Sequence, residues 1–151
     1  MTIDILPTLA AITGATLPTR SIDGKNILPI LQKEKDAQNP HEAYYFYYHT
    51  NELHAVLQHP WKLYLPHRYR SLNGRPGGTG GIPVEYDMND MGMELYHLAN
   101  DVEEKHNVFD AHPEIVDSLL NLAEKARSRM GDKLTDRTGS DVREAGVVPG
   151  E

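Results

Sequence analysis

Apolar residues recur at helical spacing in two stretches of the chain. The first stretch predicts a helix over residues 2–13, which Gly14 ends. The second begins at Pro113, a favoured first helical residue, and predicts a long helix over residues 113–131 that ends at Gly131. The apolar positions of the first helix are Ile5, Leu6, Leu9 and Ile12.

Between these helices the pattern changes to a period of two, which is typical of half-buried strands. Residues 43–48 are rich in Tyr and Phe, and Trp61, Leu63 and Leu65 alternate with Lys62 and Tyr64. The predicted strands cover residues 43–48, 53–57, 61–65 and 94–98. We therefore predict an α+β fold, with a four-stranded antiparallel sheet packed by the long C-terminal helix and with an additional N-terminal helix.

The remaining segments divide the chain into parts. Residues 1–32 read as the first helix and a linker, and residues 42–98 contain the sheet. A Gly- and Pro-rich loop is expected at residues 66–92, and loops of that length are usually functional or mobile. The predicted domain ends at residue 131, and residues 132–151 are expected to form a flexible tail.

Composition excludes several classes of function. The net charge of −7 over 151 residues disfavours nucleic acid as a partner. No run of eighteen apolar residues is present, so no membrane span is expected. The absence of cysteine excludes disulfides and thiolate zinc sites.

Several short motifs follow one another in an order that carries more information than any one of them. They are Asp4-Ile5-Leu6-Pro7-Thr8-Leu9, Asp23-Gly24, Leu28-Pro29-Ile30-Leu31, Trp61-Lys62, Leu95-Tyr96-His97-Leu98, and the run from Asp101 through Glu104 to Asn107-Val108. In this order they resemble the C-terminal part of a formylglycine-dependent (type I), arylsulfatase-like sulfatase of the alkaline phosphatase superfamily. The resemblance extends over roughly residues 1–130.

The resemblance implies that the reaction centre lies upstream of Met1. Such enzymes hydrolyse sulfate esters with calcium and a formylglycine made from a Cys/Ser-x-Pro/Ala-x-Arg motif. In this chain the nearest spacing, Ser71 to Arg75, has Asn73 where Pro or Ala is required. We therefore expect no catalytic residue, no metal ligand and no turnover in this chain, and its expected partner is the N-terminal catalytic domain of a parent chain.

The resemblance also suggests which residues line the parent's substrate cleft. Some arylsulfatase-like relatives have Lys-x-His on the third strand, and here Tyr64 occupies the His position. The candidate substrate-binding residues are His54, Lys62, Tyr64, His67, Arg68 and Arg70. Arginine suits bidentate contacts with a sulfate or carboxylate. Solvated histidines and a solvated basic loop are the competing interpretations.

Other functions stay open at this point. The chain could be a stand-alone carbohydrate-binding or interaction module derived from a sulfatase, or a fragment of a related phosphate-ester hydrolase. The substrate of a sulfatase parent could be a sulfated sugar or an aryl sulfate, and the resemblance implies an exported parent. Separated from its partner domain, the chain would expose an apolar face, so we expect self-association.

Overall fold

The computed structural model describes residues 1–143, which fall into two compact units divided after Glu42. The first unit contains a 3-10 helix at Thr2–Asp4, helix α1 at Ile5–Thr13 and the short helix α2 at Leu28–Leu31. Gly14 ends α1 in the left-handed conformation, with φ of 72°.

The first unit is held together by a buried carboxylate. Asp4, only 1% exposed, accepts hydrogen bonds from the Lys25 amide at 2.8 Å and from His41 Nε2 at 2.7 Å. One turn later, the Thr8 hydroxyl donates to the Asp4 carbonyl and accepts from the Ile27 amide at 3.1 Å. The start of α1 is thereby tied to the loop that follows it.

The large apolar residues of α1 face outwards. The predicted stripe of Ile5, Leu6, Leu9 and Ile12 is more than half exposed at every position. The helix buries Pro7, Thr8 and Ala10. Small and polar residues therefore pack this unit, and its apolar stripe is uncovered.

The second unit, from Ala43 onwards, contains the predicted sheet and long helix. The strands are β1 Tyr44–Tyr48, β2 Glu52–Gln58, β3 Trp61–Tyr64, β4 His67–Ser71, β5 Asp87–Met91 and β6 Glu94–His97. The main sheet has the strand order β1-β2-β3-β6, and every neighbouring pair is antiparallel. Helix α3 spans Pro113–Met130. The predicted α+β class, with its four-stranded antiparallel sheet, long C-terminal helix and additional N-terminal helix, is confirmed.

Helix α3 and one face of the main sheet form the core. Leu53, Val56 and Leu63 from the sheet pack with Leu119 and Ala123 from the helix, and all five are at most 1% exposed. Leu53 and Val56 both reach this core although they are three residues apart, because the register shift between β1 and β2 falls between them.

The segment at residues 66–92 differs from the expected loop. Strands β4 and β5 pair antiparallel within it, from His67 opposite Met91 to Ser71 opposite Asp87. Its strands are mostly exposed and carry many charged residues, so they lack the apolar alternation that identifies a half-buried strand. The Gly- and Pro-rich stretch is the connection between them.

Residues 132–143 also differ from the expected flexible tail. A 3-10 helix at Lys133–Thr135 follows Asp132, which is fully buried. The Asp132 carboxylate accepts hydrogen bonds from the Leu53 amide at 3.3 Å and from Arg127 Nε at 2.9 Å. A polar segment can thus dock through hydrogen bonds without apolar content. The rest of that predicted tail, residues 144–151, lies outside the described residues.

None of the helices in residues 1–143 combines the length and the apolar composition that a membrane crossing needs.

Candidate functional site

The main sheet has a second face, which points away from α3 and carries chemically different residues. Successive side chains of a strand leave on opposite sides, so Lys62 and Tyr64 lie opposite the buried Leu63. Lys62 pairs with Tyr96 on β6, which places Tyr96 on the same face. Phe46 and Tyr48 of β1 are 42% and 49% exposed there. We call this surface the aromatic face.

A three-membered polar cluster lies on the aromatic face. Lys62 Nζ is 2.6 Å from the Tyr64 hydroxyl and 2.7 Å from Glu104 Oε1, and the Tyr64 hydroxyl donates to Glu104 Oε2 at 2.7 Å. Burial lowers the pKa of Lys62, but the hydrogen bonds that its ammonium donates to Glu104 and Tyr64 outweigh this and raise the pKa overall. Burial and Glu104 together raise the pKa of Tyr64 against the opposing effect of Lys62. The lysine is therefore charged and the tyrosine neutral at physiological pH.

Glu104 reaches this cluster because a tight turn presents it. The Asp101 carboxylate accepts hydrogen bonds from the amides of Lys105 at 3.1 Å and His106 at 2.8 Å. Those two bonds are the largest cause of the lowered pKa of Asp101. Glu104 itself has a φ of 56°, a left-handed conformation that non-glycine residues rarely adopt.

Two histidine rings stack beside this cluster. His54 and His67 lie 3.9 Å apart between ring centroids, with an interplanar angle of 22°. Strand β1 leaves His54 unpaired, because its register shifts from Phe46 opposite Ala55 to Tyr47 opposite Leu53. Such a bulge redirects a side chain. His54 Nε2 also lies 3.1 Å from Glu52 Oε2.

His67 is held in one tautomer. Its Nδ1 is 2.6 Å from the Leu65 carbonyl oxygen, which can only accept, so Nδ1 carries the proton and Nε2 keeps its lone pair. Burial is the largest influence on His67 and, with the neighbouring His54, lowers its pKa despite the Leu65 hydrogen bond. His67 is therefore a neutral, oriented hydrogen-bond acceptor at pH 7.

The two predicted arginines are not part of this group. Arg68 and Arg70 alternate with His67 and Tyr69 along β4, so they leave the hairpin on its other side. Arg68 Nε lies 3.4 Å from Asp90 Oδ1, and both side chains are largely exposed. The structure thus brings together His54, Lys62, Tyr64 and His67, and separates Arg68 and Arg70 from them.

Sequence reasoning missed the carboxylates of this face. Glu104 completes the lysine cluster, Glu52 contacts His54, and Glu94 accepts a hydrogen bond from the Tyr96 hydroxyl. Glu94 could have been assigned from strand alternation, since it pairs with Tyr64. Glu104 gave a weaker signal, because its position depends on the Asp101 turn and not on a strand.

Comparison with curated proteins gives the chain its relatives. Mouse steryl-sulfatase is 29% identical over 84% of this chain, and a sulfatase of Formosa agariphila is 28% identical over 84%. Human arylsulfatase A is 28% identical over 80%. The chain is homologous to sulfatases. The resemblance predicted from the order of its motifs is thereby confirmed, although no protein-family model matches the chain.

The homology covers a limited part of each sulfatase. The chain spans 22% of the mouse and Formosa agariphila proteins and 25% of human arylsulfatase A. It corresponds to the C-terminal region of a sulfatase. Within residues 1–143, no three or more His, Cys, Asp or Glu side chains are grouped so as to hold a metal ion.

Proposed function

We propose that this chain is the C-terminal part of an enzyme that hydrolyses sulfate esters, and that its aromatic face forms one wall of the substrate cleft. The sulfatase homology and the small fraction of each relative that the chain spans support the first statement. The convergence of His54, Lys62, Tyr64 and His67 on and beside the aromatic face supports the second. That convergence is the observation that carries the cleft assignment.

The charge of the aromatic face indicates which part of a substrate it contacts. Glu52, Glu94 and Glu104 carry more negative charge than Lys62 can offset, and Lys62 is already paired with Glu104. A sulfate group would be repelled by this excess of carboxylates. We therefore assign the alcohol part of the ester, a sugar or an aromatic ring, to this face.

His67 has the most direct role in this proposal. Its Nε2 accepts a hydrogen bond from a substrate hydroxyl, and the stacked His54 ring keeps the imidazole in place. The exposed rings of Phe46 and Tyr48 provide flat apolar surface for the substrate's ring. The names of the relatives, steryl-sulfatase and arylsulfatase, fit a substrate with such a ring.

The proposal places the formylglycine and calcium in the part of the protein that this chain does not contain. There, formylglycine would supply the nucleophile and calcium would neutralise the sulfate oxygens. The residues described above position substrate. The uncovered stripe of α1 packs against that catalytic part, which would bury its exposed leucine and isoleucine side chains.

Sulfate release tests whether the catalytic groups lie outside this chain. The purified 151-residue chain should release no sulfate from an aryl sulfate, whereas the enzyme that contains it with its catalytic domain should do so. Turnover by the 151-residue chain would refute the proposal.

A matched pair of substitutions tests the cleft wall. In the intact enzyme, His67→Ala should lower kcat/KM about fivefold to tenfold, the usual effect of losing one hydrogen bond to substrate. Arg70→Ala, on the other side of the same strand, should leave it unchanged. Equal kcat/KM values for His67→Ala and the parent enzyme would exclude the aromatic face from the cleft.

A further inference from the structure

A cleft lies beside Trp61, away from the aromatic face. It has a volume of about 470 Å³, within the range of small-molecule sites, and it is open to solvent. Trp61 begins β3, His97 ends β6, and His112 precedes α3, so the cleft opens where these three elements meet. Trp61 and Lys62 are consecutive on β3, so their side chains leave on opposite faces of the sheet.

Aromatic rings form one side of this cleft. The ring centroids of Trp61 and His97 are 4.5 Å apart, and the two rings are nearly perpendicular. The centroid of the His112 ring lies 4.8 Å from that of Trp61. Indole offers a broad apolar surface together with an N–H donor. That combination suits the C–H face of a sugar ring and a hydroxyl beside it.

Polar groups complete the rim. The Asp101 carboxylate accepts hydrogen bonds from two backbone amides and retains lone pairs for hydrogen bonds from further donors. Asn100 is exposed next to it and offers both a donor and an acceptor. These groups can hold neighbouring hydroxyls of one ring.

His97 supplies a second indication. Its Nδ1 is buried and has no hydrogen-bond partner among the described residues. Native structures rarely leave such an atom unpaired. His97 lines the cleft, and a half-turn of its imidazole would exchange Nδ1 with Cδ2 without breaking a hydrogen bond at Nδ1.

The charges around the cleft select a neutral ligand. The ionised Asp101 lines the cleft, and Glu114 lies 3.7 Å from His112, another lining residue. The chain as a whole carries a charge of −7. An anionic group such as sulfate would be repelled, whereas hydroxyls gain from the carboxylate acceptors.

We propose that the cleft beside Trp61 binds an unsulfated pyranose, with Trp61 contacting its apolar face and with Asn100 and Asp101 holding its hydroxyls. This site is separate from the aromatic face and does not rest on the proposed sulfatase function. It would let the protein hold a glycan at a point remote from the scissile ester.

The chain contains its own probe for this site, because Trp61 is its sole tryptophan. Titration of the 151-residue chain with the methyl pyranosides of glucose, galactose and mannose should shift Trp61 fluorescence saturably for at least one sugar. The indole N–H resonance should move over the same concentration range. Sodium sulfate at equal ionic strength should cause no saturable shift.

Two variants make the test specific. Asn100→Ala should weaken the binding about fivefold through the loss of a hydrogen bond, while Asn121→Ala on the exposed side of α3 should bind like the parent chain. The proposal is overturned if none of the three sugars gives a saturable change, if sulfate binds in their place, or if Asn100→Ala binds as tightly as the parent.

Discussion

At the scale of single residues, the position of Gly24 in the Asp-Gly motif requires a residue without a side chain. A Cβ atom on Gly24 would lie 1.9 Å from the Ile3 carbonyl oxygen and 2.7 Å from its carbon. Both are backbone atoms, so no side-chain rotation can relieve the contact. The glycine allows the loop to pass directly over the start of the first helix.

Substitution of Gly24 by alanine should therefore destabilise the first unit by about 1–3 kcal/mol. The measurement is amide hydrogen exchange at Lys25 and Ile27, whose N–H groups bond to Asp4 and Thr8. Gly77→Ala is the control, because a Cβ there has no neighbour within 4 Å. Unchanged protection in Gly24→Ala would contradict the packing described for this loop.

Asp4 gives the first unit a dependence on acid. Burial acts to raise its pKa, but hydrogen bonds from the Lys25 amide, the Met1 amino group and His41 together lower it from 3.8 to about 2. The folded state thus favours the ionised carboxyl. Its contribution to stability is complete above about pH 4 and is lost as the pH falls towards 2.

The carboxyl carbon resonance of Asp4 should titrate with a midpoint near 2, and the Lys25 amide resonance should follow it. The stability advantage of the parent chain over Asp4→Asn should stay constant above pH 4 and shrink below it. The control is Asp23→Asn, at an exposed site in the same unit, which should lose as much stability between pH 4 and 2 as the parent chain does. A midpoint near 4 for Asp4 would show that these hydrogen bonds do not hold the carboxylate.

At the scale of elements, Asp132 joins three parts of the second unit. Its carboxylate bonds to Leu53 of β2, to Arg127 of α3 and to the Leu134 amide of its own 3-10 helix. Removing it leaves the Arg127 guanidinium with Glu124 as its remaining carboxylate partner and takes one acceptor from the buried Leu53 amide.

Asp132→Ala should therefore cost about 2–4 kcal/mol, the combined effect of several lost buried hydrogen bonds, while Glu124 still compensates the charge of Arg127. Urea unfolding followed by Trp61 fluorescence measures this loss. Asp117→Ala, on the exposed side of α3, should change stability by no more than about 0.5 kcal/mol. A loss below about 1 kcal/mol in Asp132→Ala would mean that residues 132–143 are held by other contacts.

In the second unit, the elements that the sequence predicted are those that bury apolar residues. Trp61 and Leu63 of β3 follow a period of two and the stripe of α3 follows a period of 3.6, because strand and helix meet in one core. The β4–β5 hairpin and the segment after Gly131 were missed, because backbone pairing and the carboxylate of Asp132 hold them. Neither interaction produces a hydrophobic period.

The candidate site was predictable to the same extent. Lys62 and Tyr64 share a face by strand alternation, and the same rule separates His67 from Arg68 and Arg70 once β4 is known to be a strand. Glu104 could not be placed this way, because a left-handed turn stabilised by Asp101 delivers it. Sequence spacing does not encode the path of such a turn.

At the scale of the whole molecule, helix α1 differs from an ordinary surface helix because its apolar stripe is exposed and not packed against a core. The 151-residue chain should form dimers or larger species at high concentration in sedimentation velocity experiments. Leu9→Glu should reduce this association without loss of helix content, because Leu9 is already exposed. Val102→Glu, at an isolated site that is 81% exposed, should not reduce it. A monomeric parent chain at high concentration would contradict the expectation.

The same helix affects the heat-capacity change that accompanies the formation of any complex that covers its stripe. Its leucine and isoleucine side chains stay hydrated when the first unit folds, so folding leaves their water shell in place. Whatever protein covers that stripe must release this water at the moment of docking. Calorimetry of such a docking step should consequently record a negative change in heat capacity.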